Sequence, residues 1–113
     1  MEPRLATHVL VGGLLRQAES QGGFGAVLAK GDSNSGAITL ILAEKGKNLR
    51  IMERCLQPDG SYVWETLPTQ AAENEEELEK FLAKRRKFDP DMWVVELDIA
   101  STERFAAEIN VSR

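Results

Sequence analysis

The stretch FGAVLAKGDSNSGAITLILAEKGKNLRIMERCLQPDGSYVWETL, Phe24 to Leu67, decides the fold. It holds four strand-like segments separated by strong turn signals. Phe24 to Lys30 runs into Gly31-Asp32-Ser33-Asn34-Ser35-Gly36, a polar cluster that interrupts periodic structure. Ala37 to Ala43 is a continuous apolar run, the pattern of a central strand covered on both faces. Glu44-Lys45-Gly46-Lys47 reads as a tight hairpin turn. Leu49 to Leu56 alternates, with Leu49, Ile51, Glu53 and Cys55 on one face and Arg50, Met52, Arg54 and Leu56 on the other. Pro58-Asp59-Gly60 is a turn in which proline fixes φ and glycine permits φ > 0. Ser61 to Leu67 is rich in aromatic and β-branched residues. Connections this short favour antiparallel neighbours, so the four segments are expected to form a meander.

Upstream, Leu5 to Val11 is apolar and partly alternating, and Gly12-Gly13 follows. Two readings stand. One is a short strand leading into a helix that ends at Gly22-Gly23. The other is a single helix from about Thr7 to Gln21. Two interior glycines cost a helix roughly 1 kcal/mol each relative to alanine, which favours the strand. Downstream, Asn74-x-x-Glu77 has the shape of a capping box. The helix it opens carries Leu78, Phe81, Leu82, Arg85 and Phe88 on one stripe. Its acidic start and its basic end, Lys84-Arg85-Arg86-Lys87, complement the helix dipole. Asp89-Pro90-Asp91 stops it. Met92 to Ile99 reads as a last strand with Trp93, Val95, Leu97 and Ile99 on one face. The tail after Ala100 is read as a helical turn or a frayed end.

These elements predict an α+β fold of order β-α-β-β-β-β-α-β. It has a mostly antiparallel sheet of five to six strands and two helices packed on one face. At 113 residues the chain is expected to be one domain, residues 1–113. No apolar run reaches the length of a membrane span. One cysteine, Cys55, permits no intrachain disulfide and no cysteine-based zinc site. The chain is therefore expected to be cytoplasmic and unprocessed, with no membrane partner and no cofactor. A net charge of −4 opposes polyanion binding by the domain as a whole.

Three stretches resemble a bacterial family. They are GLLRQAESQGGFGAVLAKGDSNSGAITLIL from Gly13 to Leu42, DGSYVWE from Asp59 to Glu65, and KFDPDMWVVELD from Lys87 to Asp98. Together they resemble the domain-of-unknown-function family numbered 1491, from about Leu5 to Asp98. The most specific pieces are Lys30-Gly31-Asp32 with Gly36-Ala37, and Phe88-Asp89-Pro90-Asp91 with Trp93-Val94-Val95-Glu96. Gly12-Gly13 departs from the family pattern. The resemblance implies a small bacterial cytoplasmic protein and brings no activity.

Several residue groups have chemistry worth weighing. Asp89, Asp91, Glu96 and Asp98 distantly resemble the carboxylate set of Mg²⁺-dependent nucleases, but Asp98 stands where such sites use lysine. Gly12-Gly13 lacks the G-x-G-x-x-G pattern of a dinucleotide site. His8 is the single histidine and has no nucleophile elbow to serve. Cys55 shares a strand face with Leu49 and Ile51 and reads as a buried, inert thiol. The basic run Lys84, Arg86 and Lys87, joined by Arg50 and Arg54 if the helix end lies over that strand face, forms a candidate patch. Tyr62 and Trp64 on one strand face offer stacking surfaces to a single-stranded nucleic acid. The bland reading is a dipole-matched helix end and core aromatics. In it Arg85 lays its stem on the core, while Lys84, Arg86 and Lys87 point largely to solvent.

The sequence assigns no catalytic residue. It favours a small non-enzymatic interaction or regulatory module using an exposed strand edge or an aromatic-basic face, with a protein partner or a second copy of the chain. The candidate partner-binding residues are Lys84, Arg86, Lys87, Tyr62 and Trp64. Two alternatives stay open: a nucleic-acid-binding accessory protein, and a small metal-dependent hydrolase built on Asp89, Asp91, Glu96 and Asp98.

Overall fold

The structure is a computed structural model that describes residues 5–68 and 71–111. Helix α1 (Thr7–Ser20) leads into strand β1 (Phe24–Ala29), and β2 (Ile38–Glu44), β3 (Lys47–Leu56) and β4 (Tyr62–Thr66) follow. A single 3₁₀ turn at Ala71–Glu73 precedes α2 (Glu75–Phe88), and the chain continues through β5 (Trp93–Asp98) and α3 (Thr102–Val111). The five strands form one sheet of order β1-β5-β2-β3-β4.

The α+β class holds, and three finer expectations do not. First, Leu5–Val11 contains no strand, because α1 runs unbroken through Gly12-Gly13. Val11, Leu14 and Ala18 are buried along one stripe of it. The buried Thr7 hydroxyl donates to the carbonyl of Gly36 at 2.8 Å, and the Thr7 and His8 N–H groups donate to Asn34 and Ser33. Tertiary packing outweighs the glycine propensity cost, as it does for most helices in proteins. The helix does end where glycine implied, with Gly22 at φ +84° after the Gln21 cap.

Second, the sheet is mixed and the meander covers only β2-β3-β4. Strand β5 inserts between β1 and β2, antiparallel to β1 and parallel to β2. The Gly31–Gly36 cluster is therefore not a hairpin turn. It crosses the start of β5, where a Cβ on either Gly31 or Gly36 would collide with the Asp91 carbonyl. Asp32 N–H donates to that same carbonyl at 3.0 Å, and the Trp93 indole N–H donates to Asp32 O at 2.7 Å.

Third, there are three helices, and they cover both faces. One core unites α1 and α3 with Leu40, Leu42, Met52, Trp93, Val95 and Leu97. The other packs Leu78, Phe81 and Leu82 of α2 on Ile41, Ile51 and Val94. Hence β2 is buried along Ile38–Ala43 on both faces, as its apolar run predicts. The tail forms α3 because Ser101 Oγ accepts from Arg104 N–H and the Glu44 carboxylate accepts from Thr102 N–H at 2.7 Å. Phe105, Ala106 and Ile109 then supply a buried stripe.

Candidate functional site

Lys84, Arg86 and Lys87 all lie on α2, but they do not act as one patch. Lys84 lines a cleft of about 600 Å³ with Glu53, Phe81, Arg85, Phe88 and Met92. Arg86 is half-buried rather than solvent-facing. Its guanidinium donates to the carbonyls of Lys30 at 3.3 Å and Pro90 at 3.4 Å, tying the helix end to the loop after β1. Lys87 is exposed. Arg85 pairs with Glu53 and lies over the Phe81 ring, 5.3 Å from its centroid. Three cations line the cleft, Lys84, Arg85 and Arg54, with two anions, Glu53 and Asp89, and the Arg85–Glu53 pair neutralises one of them, so the cleft offers a polyanion little excess positive charge.

Tyr62 and Trp64 lie on the opposite face of the sheet from this helix end. Trp64 packs against the α1/α3 core, and the Arg54 guanidinium stands 4.2 Å from the Tyr62 ring centroid. Arg50 donates to Thr66 Oγ1 on that same face. The structure therefore separates the basic residues of α2 from Arg50 and both aromatics, while Arg54, beside the Tyr62 ring, also lines the α2 cleft.

The four carboxylates are also dispersed. Asp89 caps the C-terminus of α2, its N–H donating to Arg85 O at 2.9 Å. Asp91 is exposed, and Glu96 is half-buried in the middle of β5. Asp98 lies at the far end of that strand, about 20 Å from Asp91 at strand rise. Its carboxylate accepts from Lys45 N–H at 3.1 Å and Gly46 N–H at 2.7 Å. Those two residues turn the β2–β3 hairpin at φ 52° and 81°, so Asp98 pins the turn. Among the described residues no group of three or more His, Cys, Asp or Glu is placed to hold a metal ion. Asp89, Asp91, Glu96 and Asp98 thus share no common metal position. His8 is exposed, with Nδ1 3.0 Å from Ser33 O. Cys55 is half-buried, and burial pushes its thiol pKa up, with a hydrogen bond to Glu65 and the charge of Glu65 adding to it.

No residue pattern distinguishes the two sheet edges in advance of the fold. At the β4 edge, Trp64 N–H donates to Asn110 Oδ1 at 2.7 Å, and Asn110 Nδ2 donates to Trp64 O at 2.9 Å. One carboxamide from α3 thus occupies both backbone groups of Trp64, at the middle of the strand, as a neighbouring strand would. At the other edge, β1 reads Phe24-Gly-Ala-Val-Leu-Ala29 and contains no charge and no proline. Phe24 is 64% exposed, Leu28 53% and Val27 40%. Five of the seven large hydrophobic residues exposed among the described residues lie on β1 or near the start of α1: Leu5, Val9, Phe24, Val27 and Leu28. Proteins ordinarily blunt such an edge with lysine, proline or a cover. A bulge at Leu28, between Val27 and Ala29, is the one such device on β1.

A family model described as "Protein of unknown function (DUF1491)" matches residues 5–107. The crystal structure of a DUF1491 family protein from Caulobacter crescentus is similar at 29% identity and TM-score 0.78, over 90% of this chain and 94% of that one. An NMR structure of a DUF1491 family protein from the same organism is similar at 28% identity and TM-score 0.75, over 92% and 94%. A solution structure of a protein from A. tumefaciens is similar at 27% identity and TM-score 0.74, over 91% and 92%. No curated protein matches the chain.

Proposed function

The chain belongs to the DUF1491 family of proteins of unknown function, and on that premise we propose that it is a non-enzymatic interaction module that docks an extended chain along β1. The observation that carries this reading is the contrast between the edges: β4 is stoppered by Asn110, whereas β1 is apolar, charge-free and exposed. An incoming strand would gain main-chain hydrogen bonds for affinity and would cover Phe24, Val27 and Leu28 for specificity. Strand addition needs no cofactor and no catalytic residue. In this reading the module works as one domain in the cytoplasm, where the lone Cys55 thiol stays reduced.

Affinity capture with three baits tests the proposal: wild type, Ala26→Lys, and Lys84→Glu with Lys87→Glu. Ala26 is exposed and sits opposite Glu96 on β5, so a lysine there gains a cross-strand ion pair while charging the edge. The expected result is that specific capture is lost with Ala26→Lys and kept with the charge reversal. Capture that survives Ala26→Lys but fails on the reversal places the surface on α2 instead. Captured nucleic acid whose affinity falls steeply with salt would favour the accessory-protein alternative.

A further inference from the structure

We infer that the strand docking on β1 is β1 of a second copy of this chain, joining two five-stranded sheets across a two-fold axis; this deepens the reading above and rests on it. The sealed edge supplies the first argument. If β1 of one copy paired with β4 of the next, the contact would be heterologous and would propagate into a ring or an open filament. Asn110 occupies the Trp64 N–H and C=O that such a contact needs. Pairing of β1 with β1 is isologous, and it closes at two copies.

The second argument is self-complementarity. Residues 24–29 carry no charge, so an antiparallel copy brings no like charges into opposition. The axis stands perpendicular to the sheet. Helices α1 and α3 of both copies therefore cover one face, and α2 of both covers the other. The third argument is area. A standard interface buries about 800 Å² per partner, more than one short strand provides. Leu5 and Val9, near the start of α1, are exposed as well. Beside Val27, a hollow of about 430 Å³, lined also by His8, Lys30 and Trp93, opens to receive a side chain from the partner. The bulge at Leu28 confines regular pairing to the Phe24–Val27 part of the strand.

Two copies each carrying a net charge of −4 repel one another, so added salt should strengthen the dimer, the reverse of a polyanion complex. Sedimentation equilibrium on the purified full chain decides the matter. Wild type is expected to be a dimer in concentrated solution, and Ala26→Lys and Phe24→Ser each to weaken self-association at least tenfold with an unchanged circular dichroism spectrum. Asn110→Ala, which unseals β4, is expected to give species larger than a dimer. Wild type that stays monomeric at every concentration overturns the self-pairing. The earlier reading then stands or falls separately, on whether capture depends on Ala26. A dimer that persists in both β1 variants also overturns the inference, because the contact then lies elsewhere. An Asn110→Ala protein that stops at the dimer overturns the part played by the seal.

Discussion

The carboxylate of Asp32 accepts hydrogen bonds from Ser35 N–H, Asn34 N–H and the Ser35 hydroxyl, and these hold its pKa below the usual carboxylate range. A depressed folded pKa contributes stability that is full above the unfolded value, about 3.9, and is lost as pH falls through the folded value. Asp32→Asn should therefore flatten the acid limb of stability below about pH 4 and leave its shape at neutral pH unchanged; thermal melts from pH 2 to 7 check this. The group is fully exposed, so the effect is read as a change of shape. Cys55 shifts the other way. Burial and then Glu65 disfavour its thiolate, so alkylation at pH 8 should be slower in the folded than in the unfolded protein, and Glu65→Gln should speed it. Residue-scale reading of the sequence did well where chemistry is local. The Asn74 cap is present, with Glu77 N–H donating to Asn74 Oδ1 at 3.1 Å, and the Gly46 and Gly60 turns adopt positive φ. It failed for Arg86, because the Lys30 and Pro90 carbonyls that draw it in come together only in the fold.

Helix α1 shows where local propensity loses to packing. A Cβ on Gly13 would meet nothing closer than the Arg16 side chain at 4.0 Å, so no contact requires glycine there. Gly13→Ala should raise stability by about 0.5–1 kcal/mol, and the melting temperature by roughly 4–8 °C per kcal/mol, in denaturant and thermal unfolding. An unchanged or lowered stability would mean that the helix is not continuous through the pair. Helix α3 carried a readable stripe in Phe105, Ala106 and Ile109, but its start depends on Glu44, more than fifty residues earlier on β2. Phe105 is fully buried between the sheet and α1, and Phe105→Ala should cost about 3–5 kcal/mol. On α2 the stripe holds in part: Leu78 is buried, Phe81 and Leu82 are half-buried and Phe88 at its end is exposed, so truncation at 78 should cost more than at 82. The β2-β3-β4 meander was legible because short turns dictate antiparallel neighbours. The placement of β5 was not, since Gly31 and Gly36 are spaced for the Asp91 carbonyl, and nothing local shows that.

At the scale of the whole molecule, the sheet has a doubly covered centre and two unlike edges. The centre was visible in the sequence as the apolar run of β2. The edges were not, because a charge-free apolar segment such as residues 24–29 reads the same whether it is buried or open. Only the topology shows that β1 is outermost and that Asn110 reaches β4. If β1 is a docking edge filled by another copy, its outward backbone amides are covered in the dimer. Amide hydrogen exchange across residues 24–29, measured in dilute and in concentrated protein, tests it most directly. The outward-facing amides of β1 are expected to become protected as concentration rises, in step with the dimer, while those of α2 stay unchanged. Exchange along β1 that is fast and independent of concentration, in a protein that sedimentation shows to be dimeric, would contradict it.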